Sequence, residues 1–202
     1  GAWEWATLVG ARTAGQCCAF AAGLPLLCFA MWRVFDLPAA GSAVSAQPFL
    51  AASAFLWSVM LLGLKYYPAA QGVWRHALVR AALGWIILSI TWLAVTVCLT
   101  MSNGPFVMFL MILTVAAADI GAYFVGRRFG RHALARDISP GKTWEGFWGG
   151  LLSVVILTAV IWKALPPAYL HLGFGSLLAL GLATAGASVV GDLTVSLLKR
   201  DR

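Results

Sequence analysis

Apolar residues gather in six long runs, at about 13–32, 48–64, 81–101, 104–125, 146–162 and 175–198. A helix needs about 20 such residues to cross a bilayer, within a range of roughly 17 to 25. The runs do not alternate apolar with polar, so closed-barrel strands do not fit them. Backbone groups in lipid must bond within their own segment, and the pattern therefore predicts six spanning helices. Between them lie 33–47, rich in Ala, Ser and Gly; a basic stretch at 65–80; a tight turn at Ser102-Asn103; a second basic stretch at 126–145; and 163–174, which holds Pro166-Pro167. The expected fold class is all-α: a polytopic transmembrane bundle forming one integral membrane domain over 1–202. The opening Gly1-Ala2-Trp3-Glu4-Trp5 reads as the end of a helix already under way, and the domain is expected to be incomplete at both ends.

Composition agrees with the pattern. Hydrophobic residues make up 61% of the 202, and charged residues only 10%. Soluble domains carry roughly 25% charged residues. The cations also set an orientation. If Arg12 is cytoplasmic, that side carries Arg12; Lys65, Arg75 and Arg80; Arg127, Arg128, Arg131, Arg136 and Lys142; and Lys199, Arg200 and Arg202. The other side has Arg33 and Lys163. Such asymmetry is the positive-inside signature, and a missed or extra helix would scramble it. The net charge of +7 is spread between apolar runs, which points to lipid headgroups and phosphate-bearing substrates rather than nucleic acid. Cys17, Cys18, Cys28 and Cys98 fall in apolar runs and read as small hydrophobes. His76, His132 and His171 lie in loops or at helix ends, and no role is assigned to them.

Two acids stand out. Asp119 and Asp192 each lie inside an apolar run, about two turns before Gly126 and Lys199 respectively. That places both roughly 10 Å inside the cytoplasmic end. An ionised carboxylate at such depth needs a cavity or a partner. Pairing with a cation of the basic loop is one reading; a shared metal or substrate site is the other. Ser188, Asp192 and Ser196 are spaced by four and precede Lys199 and Arg200; Asp119 and Tyr123 are likewise four apart, so each set shares a helix face. In the loop, Ser139 can cap a helix that starts at Pro140, which would place Gly141, Lys142 and Thr143 at a helix N-terminus suited to anions. The segment is no P-loop, because Arg136 stands where the first glycine is required. Carboxylates can hold Mg²⁺ together with substrate phosphates. Cations and helix N-termini would offset the remaining phosphate charge. Phosphoryl or nucleotidyl transfer to a lipid needs both sets.

At these residues the chain resembles the phosphatidate cytidylyltransferases (CDP-diacylglycerol synthases). Asp119-Ile120-Gly121-Ala122-Tyr123 resembles that family's Asp-(Ser/Thr)-Gly-Ala-Tyr. Ser139-Pro140-Gly141-Lys142-Thr143-Trp144-Glu145-Gly146-Phe147, with Gly149-Gly150, resembles its Ser-Pro-Gly-Lys-Thr-(Trp/Phe) segment. Gly191-Asp192-Leu193 with Ser196, Lys199 and Arg200 resembles the start of its C-terminal signature, and Trp3-Glu4-Trp5 matches near the beginning. The order and spacing of the motifs match over essentially the whole chain. Ile120 stands where a hydroxyl residue is usual, and Val195 where Glu is common. The family signature continues to Lys-Asp, His-Gly-Gly and Asp-Arg-x-Asp; this stretch does not reach them, and by itself it is expected to be inactive.

The resemblance implies that CTP and phosphatidate react to give CDP-diacylglycerol and pyrophosphate, in phospholipid biosynthesis. It implies Mg²⁺ on Asp192 and Asp119, with room for a second metal ion. Asp192, Lys199, Arg200 and Ser196 are the expected catalytic set; Ser139, Gly141, Lys142, Thr143 and Tyr123 are expected to bind substrate. The implied setting is a multi-pass protein of a bacterial inner (plasma) membrane, with its active site facing the cytoplasm. The expected partners are CTP, phosphatidate and membrane lipids, with no nucleic acid and with room for a homodimer. Two other readings remain open: a CTP-dependent polyprenol or phytol kinase, and a secondary transporter using Asp119 and Asp192 as coupling acids.

Overall fold

The computed structural model describes residues 1–37, 42–67, 72, 76–165 and 173–200. Seven helices and one small hairpin are described: α1 Ala2–Val9, α2 Ala14–Val34, α3 Ser42–Lys65, α4 Ala77–Thr100, α5 Gly104–Phe129, β1 Ala133–Ala135, β2 Ser139–Thr143, α6 Trp144–Ala164 and α7 Phe174–Arg200. Among the described residues, six helices, α2 to α7, are long and apolar enough to cross a membrane. The chain is a multi-pass helical membrane protein, of the class that its hydrophobic pattern predicts. Large apolar side chains such as Phe55 (76% exposed) and Leu26 (72%) have no protein cover. Lipid is the solvent that suits them. The turn at Ser102-Asn103 lies where it is expected. Arg75, Pro166-Pro167, His171, Asp201 and Arg202 lie outside the described residues.

Two compact units are present: Gly1–Met108 with Leu197–Arg202, and Phe109–Ser196. In the first, α1 packs on α2 and α4, and α3 packs on α4. The Trp5 indole donates to the Arg80 carbonyl at 2.8 Å and fills the space that a Cβ on Gly84 would need. The opening tryptophans thus belong to a short helix, which stops at Gly10 with φ 114, a conformation that glycine adopts without strain. Phe35, Leu37, Ala46, Leu93 and Val97 form this unit's core.

The second unit is built around α5, the hairpin, α6 and most of α7. Its core is Ala118, Val154 and Ala185, flanked by Leu151 and Leu182. Two sequence expectations need correction here. The basic stretch does not begin a loop at Gly126, because α5 runs on to Phe129 with Arg127 and Arg128 in its last turn. Arginine is a good helix former, and cations are favoured at helix C-termini. Asp119 therefore lies about 15 Å from the end of its helix at 1.5 Å per residue. Nor does Ser139 cap a helix at Pro140. Ser139–Thr143 is a strand paired antiparallel with Ala133–Ala135, in the register Ala133↔Thr143 and Ala135↔Ser139. Proline is tolerated there because each strand of a two-stranded ribbon has a free edge.

Candidate functional site

Helices α5 and α6 approach through small residues. A Cβ on Gly150 would lie 2.8 Å from the Ala118 carbonyl oxygen, and one on Gly146 2.9 Å from that of Ala122. One on Gly149 would overlap the Val125 side chain. The contacts run in opposite order along the two helices, so α5 and α6 are antiparallel neighbours joined by the hairpin. Small residues four apart are a common means of close helix contact in lipid. Here they bring the Asp119 face of α5 beside the start of α6.

The start of α6 is fixed by Thr143. It has extended backbone (φ −122, ψ 153), and its hydroxyl accepts from the Gly146 N–H at 3.1 Å. This is an N-cap, and it moves the anion-attracting helix terminus from Pro140 to Trp144. Glu145, in the first turn, ties the hairpin to the helix. Its Oε2 accepts from the backbone N–H groups of Arg131 (3.1 Å) and His132 (3.3 Å), and its Oε1 lies 2.6 Å from His132 Nδ1. The Trp144 N–H also donates to the His132 carbonyl at 2.9 Å. His132, given no role from sequence, thus helps to anchor the hairpin.

These elements enclose a cavity of about 340 Å³. Asp119, Ala122, Tyr123, Gly126 and Arg127 of α5 line it; so do Leu134 of β1, the Gly141–Thr143 end of β2, Gly146 and Phe147 of α6, and Val189 and Asp192 of α7. Two carboxylates and two cations thus face one space. Lys142 Nζ is ion-paired with Asp192 Oδ2. Arg127 Nη1 donates to the Tyr123 hydroxyl at 2.8 Å. Asp119 makes no ion pair among the described residues.

Of the residues singled out by sequence, Asp119, Tyr123, Gly141, Lys142, Thr143 and Asp192 share this cavity. Ser139 and Ser196 are half-buried and do not line it among the described residues. Lys199 and Arg200 occupy the last turn of α7 and belong to the other compact unit. Sequence reasoning missed Arg127, Phe147 and Val189 as lining residues. The signal was present: Arg127 is four beyond Tyr123, Phe147 four beyond Thr143, and Val189 three before Asp192. Arg127 escaped because a charge at the end of an apolar run was read as loop.

Among the described residues no three His, Cys, Asp or Glu gather as metal ligands. Two carboxylates on one cavity fit a different type of site. Mg²⁺ is commonly held by one or two carboxylates, with substrate phosphates and water supplying the rest.

Residues 1–202 match the family model described as "Cytidylyltransferase family". The chain is 36% identical to a phosphatidate cytidylyltransferase of Pseudomonas aeruginosa, over 99% of this chain and 70% of that protein. It is 32% identical to one of Haemophilus influenzae, over 72% of this chain and 53% of that protein. It is 38% identical to one of Mycobacterium bovis, over 49% of this chain and 31% of that protein. No solved structure matches the chain.

Proposed function

The chain belongs to the cytidylyltransferase family, and from that premise we propose that it transfers the cytidylyl group of CTP to phosphatidate, giving CDP-diacylglycerol and pyrophosphate. Nucleotidyl transfer is the family's reaction class. The kinase and transporter readings are not favoured by that membership. The observation that carries the proposal is the meeting of Asp119, Asp192 and Lys142 on one cavity beside the N-terminus of α6.

In the proposed reaction a phosphatidate oxygen attacks the α-phosphorus of CTP in line, and the bond to the pyrophosphate oxygen breaks. The nucleophile is already an anion, so no general base is required. The barrier is set by bringing two anions together and by the charge on the leaving group. Lys142 answers the second demand, beside the positive end of the α6 dipole. Gly141 has open space where a Cβ would stand, so backbone and phosphate can meet there. Asp192 and Asp119 are the residues that would hold Mg²⁺, which when bound offsets phosphate charge. Lys142 then exchanges its carboxylate partner for phosphate as the nucleotide enters. Lys199, Arg200 and Ser196 keep the catalytic roles, and Ser139 the substrate-binding role, that the family resemblance implies. The site is proposed to face the cytoplasm from a bacterial inner membrane.

The test is Asp192→Asn in the full-length protein. CDP-lipid formation dependent on Mg²⁺ is expected to vanish while the protein remains folded in detergent. Retained activity would remove Asp192 from the metal site.

A further inference from the structure

Arg127 is the cavity-lining cation that the mechanism above leaves unused. Lys142, the other, already faces a carboxylate in Asp192. Arg127 is held differently. Its Nη1 donates to the neutral Tyr123 hydroxyl at 2.8 Å, and its guanidinium carbon lies 5.9 Å from the centroid of the Tyr123 ring. Both residues line the cavity, one helical turn apart on α5. A guanidinium steadied by a phenol keeps its full charge and most of its five N–H donors for an incoming anion. Its planar fork matches two phosphate oxygens at once.

The neighbouring surface indicates which anion. On α5, Tyr123 is 57% and Phe124 66% exposed; at the start of α6, Trp144 is 47% and Trp148 63% exposed. Exposed aromatic residues at the ends of spanning helices sit at the headgroup level of a bilayer. A water-borne nucleotide gains little from such a surround, whereas a lipid phosphate must lie at that level.

We propose that Arg127, held in place by Tyr123, binds the phosphomonoester of the lipid acceptor, while Lys142 binds the nucleotide. The two anions would then reach one cavity on separate cations. The inference rests on the transfer reaction proposed above.

Binding of dioctanoyl phosphatidate and of CTP with Mg²⁺ can be measured by calorimetry on the protein in phosphatidylcholine nanodiscs. Arg127→Gln is expected to weaken phosphatidate binding about tenfold or more while leaving CTP within about twofold. Tyr123→Phe should shift phosphatidate in the same direction by less. Arg127→Lys should recover part of the loss, because it keeps the charge and loses the fork. Dioctanoyl phosphatidylglycerol, a phosphodiester, should bind weakly and respond little to Arg127→Gln. If Arg127→Gln leaves phosphatidate binding unchanged, weakens CTP equally, or weakens phosphatidylglycerol as much, the inference falls, while binding of CTP and phosphatidate by wild type keeps the transfer reading. If wild type binds neither CTP nor phosphatidate, the transfer reading itself falls.

Discussion

Lys142, on the second strand of the hairpin, and Asp192, on the last helix, form an ion pair in the candidate site. Both are partly open to solvent, with 28% and 61% of their side chains exposed. Pairs of that kind contribute about 1 kcal/mol or less to stability. The pair is better understood as two ligand-binding groups facing each other than as a structural brace.

A charge swap separates those roles. Lys142→Asp with Asp192→Lys restores an ion pair but places each charge where the substrate needs the other. The double variant is expected to melt within a few degrees of wild type and to form no CDP-lipid. Recovery of activity in the swap, measured against both single variants, would make the pair structural.

The approach of α5 and α6 gives a second prediction. Gly150→Val would press a side chain against the Ala118 carbonyl and Ala122 Cβ, from which even a Cβ would be 2.8 and 3.4 Å away. Overpacking of this kind costs about 1–3 kcal/mol, and the helices should separate. Gly141→Ala is the control, since nothing lies within 4 Å of a Cβ there. Thermal unfolding in detergent should show a clear loss for Gly150→Val and none for Gly141→Ala.

Capping of α6 is open to a similar comparison. Thr143→Ala removes the hydroxyl that accepts from Gly146 N–H and should cost about 1 kcal/mol. Thr143→Ser keeps the hydroxyl and should cost little. Denaturation midpoints for the three proteins read this directly.

Glu145 predicts a local effect. Its carboxylate gathers the Arg131 and His132 N–H groups and the His132 ring. Glu145→Ala should speed hydrogen exchange at Arg131 and His132 while leaving exchange along the middle of α5 unchanged. Uniform protection in the variant would show that the hairpin does not depend on this contact.

The proposed orientation can be tested with Gly141→Cys in a background without Cys17, Cys18, Cys28 and Cys98. A membrane-impermeant maleimide should label Gly141→Cys in inverted vesicles and not in intact cells. The reverse pattern would place the cavity on the outer side.

The spanning helices were legible in the sequence because bilayer thickness and backbone hydrogen bonding leave little freedom once an apolar run is long enough. The hairpin was not. Ser139-Pro140 is a good local start for a helix, but pairing of Ala133–Ala135 with Ser139–Thr143, together with the Glu145 clamp, is a non-local choice that no short window reveals. The end of α5 was misjudged for a related reason: Arg127 and Arg128 look like loop by charge, yet they complete the helix. Asp119, Tyr123 and Asp192 were found because their helix spacing and expense in lipid are local facts, whereas Lys142 was singled out on a helix start at Pro140 that the structure replaces with a strand. Pairing of an acid with a cation of the basic stretch is the alternative to a metal site; Lys142 and Asp192 form such a pair and both line the cavity, so the two readings describe one place.

The most direct test of the transfer reaction is a label experiment on membranes carrying the full-length protein, supplied with phosphatidate, Mg²⁺ and CTP labelled at either the α- or the γ-phosphorus. The account predicts that α-label enters the lipid as CDP-diacylglycerol while γ-label appears in pyrophosphate, one for one. Label from the γ-phosphorus in the lipid, with CDP released, would make the protein a kinase and contradict the account.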